Sequence, residues 1–322
     1  MTECERLISN GTLDRSFLEE EVRCDYLVES KMKKLWALQI DLVKQVEALC
    51  KKYGLTYYVI GGGCIGAIRH KGCIPWDDDI DIALKRADYN VFIEKAREEL
   101  QEPYFLQTPE TDPGFFRSFI ALRNSNGTCI ARGDRTIPCN NGVVVHVFPL
   151  DGFANNLRCR LFRTATFYKS IYLMKISHTG SARRHRLLRR VLRALRFLLF
   201  PRGVQQYFRN FNAKCTRFSK RYQDRIGIQY AHITSDRGGD PLWTWDAKLF
   251  DEVVEVPFEY TTLPIPKGYH EILTHTYGDY MQFPPVEKRG DKHEFEIEPD
   301  VPYREYCHQK YGVNYKSDSA AR

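Results

Sequence analysis

Along residues 30–53, SKMKKLWALQIDLVKQVEALCKKY, the apolar residues Met32, Leu35, Trp36, Ile40, Val43, Val46 and Leu49 recur mainly at steps of three and four. That spacing gathers them on one face of a helix, and Gly54 follows where a C-cap belongs. The pattern then turns β-branched and aromatic in LTYYVI (55–60), a short strand running into a glycine cluster. CIGAIRHKG (64–72) leaves room for about two helical turns before Pro75 stops the helix. DIDIAL (79–84) alternates acidic and apolar residues as a half-buried strand does, and residues 86–100 form a further helix.

Farther on, FFRSFIALRNSN (115–126) and CIARG (129–133) pattern as the two strands of a hairpin. GVVVHVFPLDGF (142–153) patterns as a buried strand ending at Pro149. Residues 155–223 are mainly helical. VVEVPF (253–258) is a short strand, and LPIPKGYHEILTHTYGDYMQFPP (263–285) a loop, a helix over 269–277 capped by Gly278, and a second loop. The tail after Tyr315 is expected to be disordered, and no internal repeat or low-complexity tract occurs.

A chain of 322 residues has room for two domains or one decorated domain, and 43% hydrophobic with 28% charged residues excludes disorder as its main state. The ten cysteines form no C-x-x-C pair, which predicts reduced, mostly buried thiols in the cytoplasm and no structural zinc. The N-terminal stretch lacks the apolar core of a secretory signal, and no apolar run approaches the ~18 residues of a membrane span. A soluble or peripheral protein is expected.

Charge changes the picture in one segment. Between Asp151 and Asp224 there is no acid, against 18 lysines and arginines, while the whole chain carries only +7. The remainder is therefore acidic, and the basic segment seeks an anionic partner. Within it, RRHRLLRRVLRALRFLLF (183–200) sets leucines on one helical face and arginines on the other, the pattern of a helix in an anionic membrane interface. No nucleic-acid module or aromatic-interleaved basic motif occurs, so nucleic acid is not an expected partner.

The chemistry concentrates in VIGGGCIGAIRHKGCIPWDDDIDIAL (59–84). Gly61, Gly63 and Gly66 satisfy the dinucleotide spacing G-x-G-x-x-G, but Pro75 cuts the crossover helix short and four acids stand where one is needed. A calcium loop fails at Ile82 and Asp88, and a Walker A loop at Ala67. Taken as strand, Asp79 and Asp81 project from one face while Ile80 and Ile82 face the core. Paired carboxylates repel unless a cation lies between them, and oxygen ligands at this spacing suit Mg2+ or Mn2+ held with substrate phosphates. The glycines would let the backbone approach those phosphates at the start of a short helix. A glycine turn, a short helix and alternating aspartates on a strand indicate an α/β (α+β) chain with a nucleotidyltransferase-like mixed-sheet core. An acidic solvated loop would explain the charge but not the apolar alternation.

GGGCIGAIRHKGCIPWDDDIDIAL resembles the signature of the LicD family, phosphocholine-transferase-like enzymes that include fukutin and fukutin-related protein. KMKKLWALQIDLV is similar to the lead-in helix of bacterial members, VFPLDGF to a third-strand motif, and LPIPKGYHEILTHTYGDYMQFPP to a C-terminal motif. The resemblance implies transfer of a phospho-alcohol from a CDP-alcohol, typically CDP-choline, to a sugar hydroxyl of a surface glycan. It implies a metal site of Asp79 and Asp81, with His146 where many members carry an aspartate; Cys64 replaces a common threonine. A neutral imidazole suits Mn2+ better than Mg2+. Asp77 and Asp78 would support the metal or take the acceptor proton. Gly62, Gly63, Arg69, His70, Lys71, Trp76 and Arg123 are the expected substrate-binding residues, the arginines neutralising phosphate oxygens. Two other functions stay open here: a nucleotidyltransferase moving the nucleotide itself, and a non-catalytic membrane- or polyanion-binding protein.

The expected organisation is a helical lead-in (1–56), a nucleotidyltransferase-like core (57–151), a basic helical insertion (152–224), a C-terminal part of the catalytic domain (225–316) and a tail (317–322). The enzyme is expected in the cytoplasm, peripheral on the inner face of the membrane.

Overall fold

A computed structural model describes residues 1–131, 133–135, 137–178, 195–196, 198–228, 236–237, 240–290 and 295–313. The chain opens with α1 (Glu3–Ser9), a hairpin of β1 (Glu21–Arg23) and β2 (Tyr26–Val28), and the long α2 (Ser30–Tyr53). Leu35, Trp36, Ile40, Val43, Val46 and Leu49 of α2 are buried, Met32 is partly buried, and Gly54 closes the helix in the left-handed conformation. Then come β3 (Tyr57–Ile60), α3 (Gly61–Arg69), β4 (Asp81–Lys85) and α4 (Arg86–Glu99). α3 begins on the glycines themselves, with no loop between strand and helix.

The sheet departs from the sequence pattern in its pairing. β6 (Ile120–Asn124) does not form a hairpin with β7 (Thr128–Ala131). It pairs with β5 (Tyr104–Gln107) on one edge and β8 (Val143–Gly152) on the other. All five residues of β6 are buried, so the strand needs two partners, and β7 pairs instead with β15 (Phe295–Glu298). β8 also runs through Pro149 rather than ending there. Along one edge β6 stops at Val147 and β9 (Arg225–Ile228) begins at Leu150, so the missing N–H of Pro149 falls in the gap.

β8 is parallel to β4 and antiparallel to β6 and β9 in a seven-stranded mixed sheet, whose main path runs β12 (Thr244–Asp246), β9, β8, β4, β3. Between β9 and β12 lies a two-residue pairing of β10 (Asp236–Arg237) with β11 (Asp240–Pro241). The expected loop LPIP is a strand as well: β14 (Thr261–Pro266) pairs with β13 (Val253–Phe258). Pro264 and Pro266 are two residues apart, so their missing N–H groups face one edge and leave the other free to pair.

The basic segment leaves the sheet at Gly152 and returns at Arg225 as α5 (Leu157–His178) and α6 (Val204–Arg221). Most of the amphipathic stretch 183–200 and the tail from 314 lie outside the described residues. α7 (Tyr269–Tyr277) ends on Gly278 as expected, and α8 (Tyr303–Tyr311) follows β15. α2, α4 and α6 all pack on β8 and successively on one another. All ten thiols are free, nine of them buried.

One buried ion pair joins this layer to the sheet. Arg86 donates through Nε and Nη2 to both carboxylate oxygens of Asp151 at 2.5 and 2.7 Å, and Ser219 of α6 adds a bond to Asp151 at 3.2 Å. Both charged side chains are 2% exposed or less. Burial opposes the guanidinium charge, and Asp151 more than offsets it. Removing one partner strands the other charge in the interior. Asp151→Ala should therefore lower unfolding free energy by about 3–5 kcal/mol, measured by urea denaturation. A loss under about 1 kcal/mol would show that the pair does not anchor α6.

Candidate active site

Sheet register brings the site together. Ile60, the last residue of β3, lies opposite Asp81, the first of β4, and Asp81 lies beside His146 of β8. Asp79 precedes the strand rather than belonging to it, yet Ile80 and Ile82 are buried at 1% and 0% exposure, so Asp79 and Asp81 emerge on the same side. The ligand atoms of Asp79, Asp81 and His146 all lie within 4.8 Å of one another, as do those of Asp77, Asp78 and Asp79. His146 Nδ1 is 3.2 Å from Asp81 Oδ1, and its ring is flanked by Phe119, Phe148 and Phe295.

The aspartate run is held by its backbone. The Trp36 indole N–H donates to the Asp77 carbonyl at 3.3 Å, and the Gln39 amide donates to the carbonyls of Asp78 at 2.8 Å and Val144 at 3.3 Å. Both anchors project from α2 three residues apart, the spacing of one helical face. The sequence pattern sorted Trp36 into the core face and passed over Gln39. A glutamine amid the apolar positions of a helix was the available signal.

Two glycines admit the acids to the start of α3. A Cβ on Gly62 would lie 2.3 Å from Asp77 Oδ2, so any larger residue there would push the Asp77 carboxylate from its place. Gly61 has φ +60, and beyond its Cα the Tyr277 hydroxyl and Asp81 Oδ2 lie 3.5 and 3.8 Å from where a Cβ would fall. Burial, and then the carboxylates of Asp81, Asp77 and Asp79, push the Tyr277 hydroxyl upward, so it stays protonated.

Burial first, then repulsion from Asp81, Asp77 and Asp78, raises Asp79 well above the ordinary aspartate range. Among the described residues no lysine or arginine pairs with Asp79 or Asp81. Crowded carboxylates with an adjacent imidazole fit a divalent cation: the oxygens suit Mg2+ or Mn2+, and the nitrogen favours Mn2+.

The other expected residues divide. Arg69 donates to the carbonyls of Tyr280 and Gln282 at 2.7 and 2.9 Å and lies over Phe283. His70 stacks on Phe283 and meets Trp76 edge-on; burial and nearby arginines lower its pKa to about 4, so it is neutral at pH 7. Trp76 in turn lies under Arg289. These three hold the 280–289 loop, with Trp76 adjoining Asp77. Lys71 is exposed, and its carbonyl accepts the Glu259 N–H. Gly63 lies over Val59. Arg123 needs correction: it is 4% exposed, and its donors go to Gln107 Oε1 and the carbonyls of Cys129 and Gly142. β6 is an interior strand, so Arg123 serves the core and not a phosphate.

A family profile described as "LicD/FKTN/FKRP, nucleotidyltransferase domain" matches residues 54–126. The chain is 30% identical over 259 residues to the lipopolysaccharide cholinephosphotransferase LicD of Haemophilus influenzae, covering 79% of this chain and 92% of that protein. Over 48 residues, 15% of this chain, it is 40% identical to an uncharacterized protein of Rickettsia prowazekii and to one of Rickettsia typhi, covering 18% and 16% of those proteins.

Because Asp79 holds its proton more tightly folded than unfolded, ionising it costs stability. The penalty is absent below the ordinary aspartate range and grows as pH rises from there to the raised value. Asp79→Asn should therefore raise the urea midpoint of metal-free protein at neutral pH, with the gain fading below pH ~4. A lower midpoint at neutral pH would contradict the repulsion.

Proposed function

The chain belongs to the LicD family, and we propose that it transfers phosphocholine from CDP-choline to a sugar hydroxyl of a cell-surface glycan or its lipid-linked precursor. The meeting of Asp79, Asp81 and His146 beside α3 carries this reading, in a chain that aligns with 92% of a lipopolysaccharide cholinephosphotransferase. Asp79 and Asp81 would hold Mg2+ or Mn2+, with His146 as third ligand or as support for Asp81; the cation supplies neutralisation of the donor diphosphate and the CMP leaving group.

The chain's own groups do the rest. The side chain of Ile60 does not cap α3, and a donor phosphate would meet the α3 N-terminus at Gly61–Gly63, beside the Asp77 carboxylate at Gly62. The protonated Tyr277 hydroxyl donates toward the gap between Gly61 and Asp81. Asp77 accepts the proton of the attacking sugar hydroxyl, because Asp78 is buried at 6% exposure. A second reading, transfer of the nucleotide itself, draws on the nucleotidyltransferase description of the matched domain. Release of free CMP separates the two.

No helix among the described residues is long and apolar enough to cross a membrane. Peripheral attachment at the cytoplasmic face of an anionic membrane fits the outer side of α5. Leu157, Leu161 and Tyr168 share one helical face there and are 64%, 61% and 65% exposed, with Arg158 and Arg160 exposed beside them.

Incubated with CDP-choline, Mn2+ or Mg2+ and a glycan acceptor, the protein should release CMP. Asp81→Asn should lose at least ~10²-fold in rate while remaining folded. More than a tenth of wild-type activity in that variant would remove Asp81 from the metal site. Wild type should also co-sediment with phosphatidylserine-containing vesicles at low salt, and a Leu161→Ser, Arg158→Gln, Arg160→Gln variant should not. Equal sedimentation of the two proteins would take α5 out of the attachment.

A further inference from the structure

Beside the carboxylates stands the Tyr277 hydroxyl, and its ring meets a second aromatic ring, that of Trp243; neither ring yet has a part in the site. Tyr277, the last residue of α7, is 40% exposed although its hydroxyl reaches the Gly61–Asp81 gap. Its ring meets that of the partly buried Trp243 at 5.9 Å centroid separation and an interplanar angle of 86°. Two planes at a right angle bound a concave corner. A flat base stacks on one face or in a parallel slot, whereas a compact, rounded cation can touch both walls of a corner.

Neighbouring residues lock the corner. The Trp245 indole N–H donates to Thr276 Oγ1 at 3.1 Å, and the single Thr276 hydroxyl proton has the Ile272 and Leu242 carbonyls at 2.9 and 3.3 Å as acceptors. Residues next to each wall thus bind the opposite element, while the Trp243 carbonyl accepts the Ile228 N–H at 3.0 Å. The walls are in place before any ligand arrives.

The faces also lack a cation. Elsewhere the fold covers its half-exposed rings with arginine: Arg289 lies 4.6 Å from the Trp76 ring and 5.4 Å from Phe283, and Arg69 lies 5.1 Å from Phe283. Among the described residues no lysine or arginine lies over Trp243 or Tyr277. The Tyr277 hydroxyl lies near Asp81 at Gly61, so this aromatic pair starts at the acidic site with no cation of the described chain over its faces. A donor with its diphosphate at the start of α3 beside Asp81 would carry its ammonium group an oxygen and two carbons from phosphorus, within the span of the Tyr277 side chain whose ring adjoins Trp243.

From this juxtaposition we infer that Trp243 and Tyr277 form the seat for the quaternary ammonium of the transferred group and select cationic over neutral alcohols. The inference rests on the phosphocholine-transfer reading and adds the residues that distinguish a trimethylammonium head from a polyol of similar size. Trp243 is the specificity-determining wall, and Tyr277 bridges it to the phosphate end.

The test compares CDP-choline with CDP-glycerol, whose alcohol is neutral, and with CMP, in full-length wild type, Trp243→Phe and Trp243→Leu. Binding is measured by calorimetry and turnover by CMP release. Trp243→Leu should weaken CDP-choline at least about tenfold while changing CDP-glycerol and CMP less than about twofold, and Trp243→Phe should restore most of the loss. Equal weakening of all three ligands would assign the rings to the cytosine base and overturn the proposal. An unchanged ratio of CDP-choline to CDP-glycerol affinity would overturn it too. Phosphocholine alone, followed by tryptophan fluorescence, separates this failure from that of the functional reading. If phosphocholine binding depends on Trp243 but CDP-choline is never turned over, the corner stands and the transferase reading falls. If CDP-choline is turned over but Trp243→Leu discriminates nothing, the reverse holds.

Discussion

Four carboxylates within five residues, packed against the end of a sheet, would push apart unless something other than their side chains held them. Here the restraint acts on the backbone. Trp36 and Gln39 reach from α2 to the carbonyls of Asp77 and Asp78, and Gln39 also binds Val144 of β8. The carboxylates then remain close and mutually repelling, with Asp79 left reluctant to ionise. A lysine or arginine beside Asp79 or Asp81 would relieve that repulsion and leave less demand for a cation. The site keeps its electrostatic strain where a ligand can relieve it.

That restraint explains why α2 lies at the centre of the molecule and not only in its core. Its apolar residues bury against the sheet, and two residues of the same helix set the position of the acids. Register does the rest. Ile60, Asp81 and His146 stand side by side on β3, β4 and β8, so one slip in pairing would carry Asp81 to the other face of the sheet. At the far end of β4 and β8, Arg86 and Asp151 fasten α4 and α6 to the same two strands. The acidic cluster and the Arg86–Asp151 anchor thus lie at opposite ends of one strand pair.

Much of this was legible in the residues. The 30–53 helix, the glycine–aspartate stretch, the helix over 269–277 and the common face of Asp79 and Asp81 follow from periodicity and spacing, which encode local structure and face, whereas His146 entered only through the family resemblance. What escaped the pattern was partnership. β7 pairs with β15 from the C-terminal region, and no local signal distinguishes that from a hairpin with β6. Arg123 looked like a phosphate ligand because its charge is visible in sequence, whereas the carbonyls that absorb its donors are not. The same limit hid Arg69 on the 280–282 carbonyls and the right angle between Trp243 and Tyr277, whose positions lie over thirty residues apart.

The central claim is that the β3–β4–β8 junction holds a divalent cation on which the phosphocholine donor is bound. A crystal structure of the protein with Mn2+ and CDP-choline, with anomalous scattering recorded at the manganese edge, tests it most directly. The account predicts an anomalous peak between the Asp79 and Asp81 carboxylates, within bonding reach of a diphosphate oxygen. Density for the bound nucleotide with no manganese at these aspartates, or manganese held elsewhere, would contradict it.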